Sequence, residues 1–200
     1  MALRYFFDVV CPYSYIMGFE VEEAEDEGIV EIEWLPFELR PAPAPLPEPR
    51  GEYIRGHWRG QVYRLADGHG VEIHVPRYQP RSTLALTLHA FAVEAGKGRP
   101  FRNATHRAFF VEGLDVGDEV VLREAAEEAG LDADAAMEAA WDPAGLVALR
   151  ATREEALRLG VHGVPTVATA EEVLFYGAAP PGRLREMLIK ETGARRGPAV

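Results

Sequence analysis

Leu3-Arg4-Tyr5-Phe6-Phe7-Asp8-Val9-Val10-Cys11-Pro12-Tyr13-Ser14 passes from one structural pattern into another. Leu3 to Val10 is aromatic and β-branched, which suits a buried strand. Pro12 lacks the amide hydrogen that a first helical position leaves unused, so Cys11 falls at the N-cap of a helix. That helix is predicted to run to about Asp26, with Ile16, Phe19 and Ala24 turned inward, and Gly28 closes it. Val30, Ile32 and Trp34 then alternate with Glu31, Glu33 and Leu35, a period of two that predicts a second strand. At a strand-to-helix junction, unpaired amides and the helix dipole supply partial positive charge. The Cys11 pKa is therefore expected to fall, leaving a thiolate, the attacking form of cysteine. A free cysteine is more often a small buried hydrophobe. Pro12, fixing the helix start beside it, favours a site.

Downstream, Arg40 to Arg50 carries five prolines at alternate positions and is expected to be an extended polyproline spacer. Residues of about 51–160 read as helical. Ser82 precedes a helix with a Leu84/Leu88/Phe91/Ala95 stripe, and Asp118, Asp132 and Pro143 open further helices. Val164 to Thr169 and Val173 to Tyr176 read as strands joined through Ala170-Glu171-Glu172. A last helix spans Arg183 to Thr192, and the tail from Arg195 is expected to fray. The order is strand–helix–strand, a helical stretch, then strand–strand–helix. It describes an α/β fold with a small mixed sheet and an all-helical insertion.

Composition narrows the function. The chain has 200 residues, 48% hydrophobic, with a net charge of −11. Such an acidic surface argues against nucleic acid or an anionic membrane as partner. The N-terminus places Asp8 where a signal peptide would still be apolar. One cysteine allows no internal disulfide, and a cytoplasmic location is expected.

Gly163-Val164-Pro165-Thr166 forms the second motif, with a proline opening a strand. Cys11-Pro12-Tyr13-Ser14 after the first strand and Val164-Pro165-Thr166 before the third together resemble the thioredoxin-fold DsbA-like superfamily. The similarity is to its FrnE-like branch, with kappa-class glutathione transferases and 2-hydroxychromene-2-carboxylate isomerases. Asp115, Ala129-Gly130-Leu131-Asp132, Gly160 to Thr166 and Phe175-Tyr176-Gly177 extend the likeness over nearly the whole chain.

The resemblance implies a thioredoxin-like domain from 1–50 and 156–195, with a helical insertion from 51–155 roofing the site. It implies that Cys11 is the nucleophile, with Pro12 and Tyr13 completing the motif; Ser14 is expected to be the second catalytic residue, donating a hydrogen bond toward Cys11 that helps hold the thiolate. It also implies a cis Val164–Pro165 loop that binds substrate. The activity implied is that of a thiol–disulfide oxidoreductase acting on protein or small-molecule thiols and disulfides. Serine stands where a dithiol enzyme has its second cysteine, so the enzyme would be monothiol, and an external thiol must resolve any mixed disulfide. No cofactor is expected to be tightly bound; glutathione or another low-molecular-weight thiol would be that external partner. Two alternatives stay open: a glutathione-dependent transferase or isomerase, and a non-catalytic peptide- or thiol-binding protein. Gly177-Ala178-Ala179-Pro180 lacks the polar pair that a kappa-type glutathione site resembles.

Other candidates are weaker. The six histidines show no metal-binding spacing, so no metal is assigned; His69 and His74 fall on a predicted loop and strand. Glu20 to Glu27 reads as a solvated helix face. Arg77 and Arg81 read as solvated arginines at a helix entry, and His162 as a structural residue at a strand entry.

Overall fold

The computed structural model describes residues 2–193, so the expected fraying from Arg195 lies outside the described residues. The central strand β1 (Leu3–Phe7) lies between β2 (Ile32–Pro36) and β3 (Thr166–Ala168), and β4 (Val173–Tyr176) flanks β3. β1 pairs parallel with β2 from Leu3↔Ile32 to Phe7↔Pro36, and antiparallel with β3 through Tyr5↔Val167. A parallel pair needs a crossover, and α1 (Pro12–Asp26) provides it. Pro36 is tolerated because it ends an edge strand.

Alternation along β1 divides the core. Leu3, Tyr5 and Phe7 face Met17, Val21 and Ala24 of α1 and Leu184 and Leu188 of α9 (Arg183–Thr192). Phe6 faces the other way, packing with Phe37, Ala156, Val161 and Val164. Arg4, on Phe6's side, pairs with Glu33 and with Glu155 of α8 (Pro143–Arg158).

Between β2 and β3 lie α2 (Glu52–His57), a π-helical turn (Trp58–Val62), α3 (Tyr63–His69), α4 (Thr83–Glu94), α5 (Gly98–Phe110), α6 (Glu119–Glu128), α7 (Ala133–Trp141) and α8. Ile54, Trp58, Val62 and Ala66 are all buried. A four-residue spacing drifts by about 40° per step on an α-helix, and the wider π turn absorbs that drift. Asp118, Asp132 and Asp142 cap α6, α7 and α8 by accepting backbone amides.

Several expectations need correction. Phe19 is 46% exposed rather than inward. On α4, Leu88 is fully buried but Ala95 is exposed; the buried face instead runs through Ala85, Leu86, His89 and Ala92, because neighbours pack on two sides. The proline segment bends, with Ala44 donating to the Pro41 carbonyl, because the Arg81 guanidinium binds the carbonyls of Arg40 and Ala44. The acidic face of α1 is bound rather than solvated. Glu20 accepts the amides of Gly182 and Arg185, capping α9 from another helix. Glu22 pairs with the buried Arg102, whose guanidinium lies 3.4 Å from the Trp34 ring centroid. His69 ends α3 and is held by Glu20 and the Ala179 carbonyl, and His74 is in a loop rather than a strand.

Candidate functional site

β1 delivers Asp8, Val9, Val10 and Cys11 in turn to the end of the sheet. The Cys11 amide donates to the Asp8 carbonyl at 3.0 Å, and the Cys11 carbonyl accepts the first helical bond, from Tyr15, at 3.1 Å. Cys11 is thus the N-cap of α1, and its side chain is free for other contacts. The thiol donates to the Val164 carbonyl, with sulfur and oxygen 3.5 Å apart. Residues 153 positions apart in sequence therefore meet. The Val164–Pro165 peptide is cis. Its loop is fixed by Gly177 donating to the Pro165 carbonyl and by the Thr166 hydroxyl donating to the Gly163 carbonyl.

Opposing forces act on the sulfur. Its burial disfavours negative charge, and the nearby Asp8 carboxylate adds to that. The dipoles of the Ser14 hydroxyl and of the Ser14 and Tyr13 amides act the other way and favour thiolate, although the protonated sulfur caps neither amide. Burial wins, and the Cys11 thiol is pushed up to about 11. The expected fall in pKa is thus corrected. The sequence shows the helix start, whereas the desolvation comes from distant residues, Val164 among them, that close over it.

Asp8 is the residue that sequence reasoning missed. It is fully buried; its carboxylate accepts the Leu39 amide at 2.8 Å and the Val10 amide at 3.3 Å. Burial outweighs those bonds and raises its pKa to about 6. The available signal was an acid directly after the aromatic run Tyr5-Phe6-Phe7, three positions before Cys11.

A cavity of about 250 Å³ opens beside Cys11, with Asp8, Pro12, Tyr13, Val164, His57 and Arg81 among its walls. Tyr13 donates to Gln61 at 2.9 Å and meets the edge of His57, whose ring stacks on Tyr53. Burial, and then Cys11, push the Tyr13 phenol up. Helical-segment residues thus wall the Cys11 end of the sheet. Arg81, read as a solvated helix-entry residue, instead lines this cavity. Arg77 does not line it, and His162 is exposed and outside it. Among the described residues no group of three or more histidine, cysteine, aspartate or glutamate side chains is placed to hold a metal. No helix there is long and apolar enough to cross a membrane.

Comparison with known proteins places this geometry in context. The DSBA-like thioredoxin domain family model matches residues 2–188. The chain is 36% identical over 133 residues to the uncharacterized protein YwbO of Bacillus subtilis, a match covering 65% of this chain and 66% of that protein. It is 25% identical over 188 residues to 2-hydroxychromene-2-carboxylate isomerase of Sphingobium xenophagum, covering 88% of this chain and 91% of the isomerase. Among solved structures, a probable DsbA oxidoreductase from Streptomyces coelicolor superposes with a TM-score of 0.80 at 26% identity, over 100% of this chain and 93% of that one. The cytosolic disulfide reductase DsbM of Pseudomonas aeruginosa, in its structure with GSH, superposes with a TM-score of 0.72 at 22% identity, over 98% and 100% of the two chains.

Proposed function

The chain belongs to the DSBA-like thioredoxin domain family, and from that premise we propose that it is a monothiol thiol–disulfide oxidoreductase with Cys11 as its nucleophile. The observation that carries this is the Cys11 sulfur, at a helix N-terminus, against the Val164 carbonyl and beside an open cavity, with Ser14 where a resolving thiol would sit. At rest the sulfur is a thiol, because its pKa of about 11 leaves on the order of one site in ten thousand ionised at pH 7. Once the proton passes to solvent water, from which the expelled thiolate later recovers one, the Tyr13 and Ser14 amides and the Ser14 hydroxyl favour the anion. The thiolate attacks a substrate disulfide, forming the Cys11–substrate S–S bond and expelling the other sulfur as a thiolate. Ser14 cannot attack that bond, so an external thiol takes the substrate sulfur and returns Cys11 to its reduced form. Glutathione suits this step, and the similarly folded DsbM has been captured with it.

Val164 and Pro165 present backbone to the bound substrate, and Pro12 and Tyr13 wall its approach. Of the proposed thioredoxin-like unit, 1–50 and 156–195, the described residues 2–50 and 156–193 hold the sheet, α1 and α9, and 51–155 is the roof. A single cysteine suits a reducing, cytoplasmic setting. The test is glutathione-dependent reduction of a peptide mixed disulfide. Turnover by the parent and none by Cys11→Ser supports the reading; equal rates for the two proteins overturn it.

A second reading, a glutathione-dependent isomerase or transferase, is favoured by one observation. The match to 2-hydroxychromene-2-carboxylate isomerase spans most of both chains, and there Cys11 or Ser14 would hold or activate a thiol cofactor. Under it, Ser14→Ala abolishes turnover of an aromatic substrate, while Cys11 forms no mixed disulfide.

A further inference from the structure

The cavity at Cys11 does not stand alone. Across Pro80 and Arg81, which wall both, it adjoins a larger groove of about 700 Å³. This groove lies between the start of α4, the 115–118 turn and the corner where α7 gives way to α8. Its floor is apolar: Leu84, Ala140, Leu146 and Trp141, the last left 62% exposed. Arg40, Leu46, Pro47 and Tyr53 are shared with a further depression of about 360 Å³. The Cys11 cavity therefore adjoins both depressions through shared walls. A low-molecular-weight disulfide needs only the Cys11 cavity; an extended chain reaches beyond it.

Charge specifies the occupant. Asp115, Asp118 and Asp142 line the large groove, and none of them makes an ion pair among the described residues. Each accepts a backbone amide in its own turn. The groove's arginine, Arg81, spends its guanidinium on the Arg40 and Ala44 carbonyls, away from those carboxylates. An exposed tryptophan on an aliphatic floor offers a large area for burial, and unpaired carboxylates at its rim select a cation.

We infer that this groove docks an extended polypeptide substrate, seating an apolar side chain against Trp141 and an adjacent lysine or arginine among Asp115, Asp118 and Asp142. The inference rests on the disulfide-exchange reading, to which it adds a substrate class: a basic, apolar segment near the reacting cysteine in sequence. The cysteine lies at Cys11, and the chain crosses Pro80 and Arg81 into the groove.

The test separates docking from chemistry. Synthetic peptides carry serine in place of the reacting cysteine, with an Arg-Phe pair a few residues to either side; matched peptides carry Glu-Phe or Arg-Ser. Binding to the full chain is read by fluorescence anisotropy. An Arg-Phe peptide should bind about tenfold more tightly than both controls, and Trp141→Ala should remove most of that preference. Asp115→Asn, a lighter change, should weaken the arginine preference alone. Equal affinity for the three peptides overturns the proposal. So does a dimer in solution that dissociates on Trp141→Ala, which would assign the face to a second copy. Exchange with a small disulfide, followed separately on the parent, reports on Cys11 chemistry. Discrimination without exchange preserves docking and removes the redox reading; exchange without discrimination does the reverse.

Discussion

Replacing Asp8 with asparagine should change how stability depends on pH, and the structure sets the size. Burial raises the Asp8 pKa from 3.8 to about 6, so the folded state holds the Asp8 proton more tightly than the unfolded chain does. Its contribution to stability is fully present below about pH 4 and is lost as pH rises through about 6. At 1.36 kcal/mol per unit, the shift amounts to about 3 kcal/mol in total, of which about 2 kcal/mol is lost between pH 4 and pH 8. Asparagine has the same shape but does not titrate. It leaves either the Leu39 or the Val10 amide without its acceptor, a cost of about 1–2 kcal/mol at every pH. Asp8→Asn should therefore be the less stable protein near pH 4 and the equal or more stable one near pH 8. Urea unfolding of both proteins across that range measures the difference, in which the other titrating groups cancel. Removing the Asp8 charge also removes one of the influences raising Cys11. The thiolate absorbance of the variant should thus appear at lower pH than that of the parent. Parallel stability profiles with an unmoved thiol titration would refute the coupling of the two buried groups.

Other perturbations test other parts of the account. Ser14→Cys should form an internal disulfide on mild oxidation and release mixed disulfides without added thiol; cysteines that stay reduced in oxidising buffer count against the redox geometry. Arg102→Ala strips Glu22 of its buried partner and should cost about 3–5 kcal/mol in urea unfolding, while Arg102→Met with Glu22→Gln should recover most of it. A loss below about 1 kcal/mol for the single variant would make the pair no more than a surface ion pair. Gly145→Ala places a methyl group 2.5 Å from Thr87 Cγ2 where α8 crosses α4, and should lower stability by about 1–3 kcal/mol. Thr87→Ser, which removes that contact, should rescue it; an unchanged Tm in the single variant contradicts the close approach.

Local pattern made much of this molecule readable in advance. Pro12 and Gly28 bracket α1, Val173 to Tyr176 is the predicted strand, and Arg183 to Thr192 the predicted last helix. In each, propensity and packing agree. The resemblance, with its paired motifs at Cys11 and Val164–Pro165, pointed to the fold and to where the two would meet. Long-range effects stayed hidden. Glu20 and Glu22 look like solvated acids until α9 and α5 arrive to bind them. Arg81 looks solvated until the proline segment folds onto its guanidinium. The Cys11 pKa moves opposite to expectation because the helix start is local, whereas the burial comes from residues distant in sequence. Asp8 escaped notice because a single acid at a strand end carries little pattern of its own.

The central claim is single-sulfur exchange at Cys11, and the mass of the intact protein tests it most directly. The reduced chain is incubated with excess glutathione disulfide and passed through a desalting column. The account predicts one glutathione adduct per chain, mapped to Cys11, that persists in buffer alone and is released when a low-molecular-weight thiol is added. A chain that emerges unmodified after prolonged incubation at mildly alkaline pH, with Cys11 still reduced, would contradict it.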